Sequence, residues 1–362
     1  MLSILRVMDM AVRRHTGCAL GPWLICIILL GAGNAWCADS GDDFDSFGEL
    51  KPFKDAPLPE AITHPAWFKL SFLDLRDDLA EAIDSGKQGL LVYFGQKYCA
   101  YCKKLLEINF GKKQDIVDYT RKHFDVIGMD IHGQRAVTGM DGREWDEHSF
   151  ALENHINFTP TLIFYDKERR EALRLSGYYP PYQFQAALEY VADGFYKRES
   201  FRSYLARADV PMVFDSGDMN YEDFFAPGPQ ALDRSRIPAQ RPLVVFFEQS
   251  DCHACDILHT GPLRDPDILQ RVARFDASQL NMWKNTPVIT PGGEHTTAKK
   301  WADELGLFYT PTLVFFDEHG KEILRVDSVV QFYRLRNVLD YVLSGAYHEY
   351  PTFQQWRTAT RR

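Results

Sequence analysis

Apolar and polar positions along this chain fall into blocks that occur twice. Leu90 to Phe94 is an uninterrupted apolar run, as expected of a strand buried on both faces, and it ends in a short polar break. Cys99-Ala-Tyr-Cys102 follows, and then a basic amphipathic segment to Asn109 that predicts a helix. Further on, the pattern predicts a strand at Phe124 to Met129, a variable insert, and a helix at about Glu144 to His155. After Phe158-Thr-Pro-Thr161 come strands at Leu162 to Tyr165 and Ala172 to Leu175, then a helix from Pro181 to Tyr196.

The same series restarts at Pro242 (PLVVFFEQSDCHACDIL), with a strand at Val272 to Phe275 and a helix around Thr297 to Leu305. It continues through Tyr309-Thr-Pro-Thr312, a strand at Leu313 to Phe316, a turn at Asp317 to Gly320, a strand at Ile323 to Val326 and a helix at about Val330 to Leu343. The leading cysteines lie 153 residues apart and the Thr-Pro-Thr prolines 151 apart, so the chain is a duplication with almost no drift in length. The tails match too, Tyr190-Val-Ala-Asp-Gly-Phe-Tyr196 beside Tyr341-Val-Leu-Ser-Gly-Ala-Tyr347.

Outside the repeat, Arg13 and Arg14 precede an apolar run from Cys18 to Gly33, and a small-residue cut lies at Gly33-Asn34-Ala35 or Ala35-Trp36-Cys37. Residues 1–38 therefore read as an export signal that is cleaved. The alternative is an uncleaved anchor, but the run spans 16 residues against the ~20 a spanning helix needs, and Gly21-Pro22 breaks it. Trp36 before Cys37 is a poor lipidation context. Residues 39–65 are acidic and lack a repeating apolar face, which predicts a flexible arm. The domains expected are 66–208 and 242–362, joined by a Pro-containing connector and second-domain lead-in over 209–241. Within that connector Tyr221 to Phe225 mirrors the Trp67-Phe68 lead-in, so it is not free throughout. The inserts Ile131 to Arg143 and Ala277 to His295 carry Gly and Pro and predict surface loops.

Composition narrows the class. The 362 residues suffice for two cores, and 45% hydrophobic with 25% charged residues fits a globular protein. The formal charge is −9, or −11 without the leader, and there is no basic tract; this argues against nucleic acid as a partner. Membrane contact is expected only through the leader, if it is retained. Of seven cysteines, Cys18, Cys26 and Cys37 fall in or beside the leader and the other four form the two CxxC pairs. A bridge across so short a loop is worth roughly 2 kcal/mol against about 4.7 for a 100-residue one, so stability does not explain these pairs.

Chemistry does. At i and i+3 on the first helical turn, Cys99 and Cys102 share a face within bridging reach, as do Cys252 and Cys255. The first sulfur of each pair meets unpaired backbone N–H groups and the positive end of the helix dipole, which favour the nucleophilic thiolate. Lys103 just past the first pair and His253 inside the second are candidates for tuning that ionisation, with Asp251 and Asp256 opposing His253.

A strand into CxxC at a helix start, then X-Thr-Pro-Thr, a hairpin and a last helix, resembles the thioredoxin fold, over about 70–200 and 222–350. It is similar to bacterial periplasmic thioredoxin-like proteins and Dsb-type disulfide isomerase or reductase domains. The resemblance implies an α/β protein of two tandem thioredoxin-like domains, each a central mixed sheet flanked by helices. It also implies cis bonds at Pro160 and Pro311 facing the dithiols. Cys99 and Cys252 would attack a disulfide, Cys102 and Cys255 resolve it, and Thr159-Pro160 and Thr310-Pro311 pair with the substrate's extended chain. The tryptophan that usually precedes CxxC is here Tyr98 or Asp251, and the usual buried acid is Tyr93 or Phe246, which casts doubt on a fast thioredoxin-like reductase.

The expected function is an exported, periplasmic or secreted thiol–disulfide oxidoreductase that reduces or isomerises protein disulfides, recharged by an upstream redox partner protein. No cofactor and no metal are expected. The CxxC spacing is wrong for a zinc ribbon, no histidine follows the second cysteine as covalent haem requires, and no Met- or His-rich strip suggests copper. His132, His148 and His155 read as surface residues. The rival readings are a thiol oxidant, toward which His253 pulls the second site, and a peptide-binding module with vestigial dithiols.

Overall fold

The computed structural model describes residues 50–208 and 218–360. The leader, the first part of the acidic arm and residues 209–217 of the connector lie outside the described residues.

In the first half, strands run in the order Phe124–Asp130, Gly89–Gly95, Thr161–Asp166, Glu171–Ser176. Gly89–Gly95 pairs parallel with Phe124–Asp130 and antiparallel with Thr161–Asp166. The second half repeats this as Asp276–Asn281, Leu243–Glu248, Thr312–Phe316, Glu322–Val326. Both central strands are buried along their whole length, because helices cover both sheet faces. Leu91 and Tyr93 point into one core, while Leu90, Val92 and Phe94 point into the other. The half-to-half strand order is the same, so the CxxC turn emerges at the same place in each sheet.

Several elements differ from expectation. Val272 to Phe275 is not a strand. Asp265 caps a helix over Pro266–Val272 with proline at its first position, which buries Ile268 and Val272, and the strand begins at Asp276. The first helix expected at Glu144 starts at Glu147, where Asp146 and Ser149 form a capping box. The inserts are not open loops: they fold into hairpins, Ala136–Thr138 with Glu144–Asp146 and Pro287–Ile289 with His295–Thr297. After Ala100–Lys104 the backbone widens into a π-helix, Leu105–Lys112, instead of continuing as an α-helix.

The arm, expected to be flexible, is fastened where it is described. Leu58 N donates to Tyr98 O and Ile62 N to Lys97 O at 2.9 and 2.8 Å, and Leu50 is buried in the first-half core. Apolar Leu50, Phe53 and Ile62, spaced among the charges, supply the anchoring that an acidic average conceals. From 218 the connector belongs to the second half. Phe225 bridges Ala277, and Gln230–Ala231 pairs parallel with Pro287–Ile289. No described helix is long and apolar enough to cross a membrane.

The halves interlock. Phe158, just before the first Thr-Pro-Thr, is buried in the second half's core with Phe353, ring centroids 5.3 Å apart. Its counterpart Tyr309 is buried in the first half's core, edge-on to Tyr179 at 5.6 Å. Between them Val329 N donates to Tyr178 O, a contact between positions equivalent in the repeat. Gly177 lies at φ +115° there, and a Cβ on it would strike Ser328 Oγ, so this approach requires glycine. Arg202, on the last helix of the first half, donates to Leu307 O and Met282 O of the second at 2.5 and 2.7 Å.

Candidate active site

Each CxxC sits where its central strand gives way to a helix. Cys99 and Cys252 are the N-caps of Ala100–Lys104 and His253–Thr260, with extended backbones. In each pair the leading sulfur accepts the N–H of the second cysteine, Cys102 N at 2.9 Å and Cys255 N at 3.1 Å. An orphan helical donor therefore faces the sulfur, an arrangement that favours negative charge there. Both pairs are bridged, with Cα–Cα distances of 5.1 Å. The leading cysteines keep a little exposure that the second ones lack: Cys99 and Cys252 are each 7% exposed, whereas Cys102 and Cys255 are 0% and 1%. That order suits a first sulfur that meets substrate and a second that resolves.

The Thr-Pro-Thr loops close each site from the other side. The Thr159–Pro160 and Thr310–Pro311 peptides are cis. Thr159 Oγ1 and O both lie 3.4 Å from Cys99 Sγ, and Thr310 Oγ1 lies 3.5 Å from Cys252 Sγ. Gln96 Nε2 donates to Thr159 Oγ1 at 2.8 Å, which leaves the threonine proton directed at the sulfur, and His132 Nε2 lies 3.3 Å from Gln96 Oε1. The second site has Gln249 in place of Gln96, held by Trp283 Nε1 at 2.8 Å.

Lys103 and His253 have partners other than sulfur. Lys103 Nζ is 3.6 Å from Glu107, and His253 Nε2 is 2.7 Å from Leu50 O of the arm. Tyr93, in place of the usual acid, is fully buried, and burial pushes its phenol far above its ordinary value. No described cluster of three or more His, Cys, Asp or Glu could hold a metal ion.

The sequence pattern does not single out two sets of residues that the structure brings together. Glu248 ends the otherwise apolar Leu243–Glu248 strand, and its carboxylate is 2.9 Å from His259 Nε2, while Glu222 is 2.9 Å from Nδ1. Burial pushes His259 down, but hydrogen bonds and charges from Glu248 and Glu222 outweigh it, and its pKa stands above the ordinary value. A lone carboxylate at the end of a buried strand was the available signal. The second set comes from across the seam: Arg334 Nη2 donates to Thr159 O at 2.9 Å, and its guanidinium lies 3.5 Å from the centre of the Tyr101 ring. No motif marks it.

The family model for the thioredoxin-like domain matches residues 75–192 and 229–343, and the chain belongs to that family. Its two cysteine pairs, each at a helix start beside a Thr-cis-Pro loop, have the arrangement of a thiol–disulfide oxidoreductase. Among solved structures, a thioredoxin-fold protein from Helicobacter pylori is 22% identical, with 39% of this chain and 91% of that one covered and a TM-score of 0.32. A disulphide isomerase from Xylella fastidiosa is 16% identical over 41% of this chain and all of that one, TM-score 0.24. The first two thioredoxin domains of Saccharomyces cerevisiae Eps1p are 12% identical over 76% and 98%, TM-score 0.22. No curated protein matches the chain.

Proposed function

We propose that this protein is an exported thiol–disulfide oxidoreductase that reduces or isomerises protein disulfides in the periplasm or outside the cell. The observation that carries the reading is the pairing, in both halves, of a helix-capping sulfur with a Thr-cis-Pro loop 3.4–3.5 Å away. In the reduced protein, Cys99 or Cys252 as thiolate attacks a substrate disulfide and joins one substrate sulfur while the other leaves as a thiolate. Cys102 or Cys255 then attacks that mixed disulfide, releasing the second substrate thiol and leaving the protein pair oxidised, with two electrons passed to substrate. A redox partner protein restores the dithiol. Tyr101, in the Cys99-Ala-Tyr-Cys102 turn, and the threonine before each proline support the reducing or isomerising direction by resemblance.

The test is the full chain with Cys102→Ala or Cys255→Ala, expressed with its leader. A mixed disulfide with an exported protein is expected on at least one of Cys99 and Cys252, and reduced wild type is expected to cleave insulin disulfides. A chain that exchanges with no disulfide at either site overturns the proposal.

A further inference from the structure

A polypeptide entering a thioredoxin-like site as an added strand needs the main-chain groups beside the cis-proline. In the first site that carbonyl is already occupied. Arg334, in the Phe332–Leu343 helix of the second half, is 7% exposed and donates to Thr159 O at 2.9 Å, on the loop that touches Cys99. It is held there from several sides. Its guanidinium stacks on Tyr101 within the first CxxC and lies 5.1 Å from the Phe158 ring, and its backbone N–H donates to Asp55 of the arm at 2.8 Å. Displacing it would strand a buried cation, which costs more than a surface contact.

Among the described residues the second site has no such guard. Gln183 holds the position in the first half that Arg334 holds in the second, and no described protein donor reaches the Thr310 carbonyl. One repeat thus offers a strand-pairing carbonyl that no described donor takes, and the other a carbonyl taken by its neighbour.

We propose that Arg334 is a specificity-determining residue that the second half supplies to the Cys99 site. It screens out extended polypeptide disulfides there and leaves the site to small disulfides, which need no main-chain pairing, while the Cys252 site serves protein substrates. This rests on the oxidoreductase reading above. The chemistry per turnover is unchanged: one substrate S–S bond breaks, the Cys99–Cys102 bond forms, and two electrons with two protons pass to the substrate disulfide, which leaves as two thiols.

The experiment uses the full chain with Cys252→Ser and Cys255→Ser, reduced and freed of reductant. Single-turnover oxidation of the Cys99 pair is then followed with hydroxyethyl disulfide and with insulin. Arg334→Gln, which copies the first half's residue, is expected to raise the insulin-to-small-disulfide rate ratio about tenfold, the worth of roughly one hydrogen bond. Arg334→Lys, which keeps a donor and the charge, is expected to hold the ratio near that of the parent. Thermal melts establish folding, and Arg334→Met, which retains the stem, replaces the Gln variant if that one does not fold. An unchanged ratio in a folded Gln or Met variant overturns the inference while the redox reading stands. Failure of the parent to react with either disulfide overturns the inference, and with it the redox reading only if the Cys252 pair of the wild type is inert as well.

Discussion

The Tyr101 hydroxyl donates to Asp55 Oδ2 at 2.7 Å, tying the residue between the first pair of cysteines to the N-terminal arm. The same carboxylate accepts Tyr333 N and Arg334 N at 2.8 Å each, so the arm caps a helix of the second half whose own N-cap, Gln331, makes no side-chain cap bond. One acid thus joins arm, dithiol turn and second half. Asp55→Ala removes a helix cap and unpairs buried donors, and is expected to cost about 2–3 kcal/mol. Urea denaturation checks this, with Asp55→Asn expected to lose less because it keeps an acceptor.

Thr159 is oriented by Gln96 so that its hydroxyl proton faces Cys99 Sγ. A hydrogen bond to a thiolate favours the ionised form, and valine has the same shape without the donor. Thr159→Val is expected to slow iodoacetamide alkylation of reduced Cys99 at pH 6 by about tenfold, the effect of roughly 1.4 kcal/mol. Rates at high pH, where every thiol is ionised, are expected to converge.

His259 lies between two buried carboxylates, which hold its pKa above the ordinary 6.5 despite burial. A raised folded value means that the protonated form binds more tightly in the fold. Its stabilisation is therefore complete below about pH 6.5 and fades as pH rises through the folded value. His259→Gln is expected to flatten the stability profile over that upper range, as measured by chemical denaturation at a series of pH values.

Asp327 lies at the seam with Oδ1 buried and unpartnered, and burial pushes its pKa up to about 6 against the pull of Arg325. The neutral acid suits the fold, so stability is undiminished below about pH 4 and is lost as pH rises through 6. Asp327→Asn is expected to stabilise the protein by about 1–2 kcal/mol at pH 7.5, part of the full shift because the residue is partly solvated, and by nothing near pH 4. Paired melts at the two pH values read the difference.

The sequence by itself determined what is local or repeated. The two strand-to-CxxC junctions, the X-Thr-Pro-Thr loops and the hairpins after them follow from apolar runs, turn residues and cysteine spacing, whose physics acts within a few residues. Short-range pattern gave way where caps and pairing partners decide: Asp265 and Pro266 made a helix where Val272 to Phe275 suggested a strand, and the inserts found partners as hairpins. Tertiary structure alone decided what crosses the seam. Asp55 has nothing near it in sequence to mark it as a cap for residues 333 and 334, and Arg334 reads as one more charge on an amphipathic helix. The exchange of Phe158 and Tyr309 between cores is equally silent, since an aromatic before Thr-Pro-Thr would be buried in its own half as readily. Each depends on how two separately legible domains meet, and that is set by shape and by the pairing of groups distant along the chain.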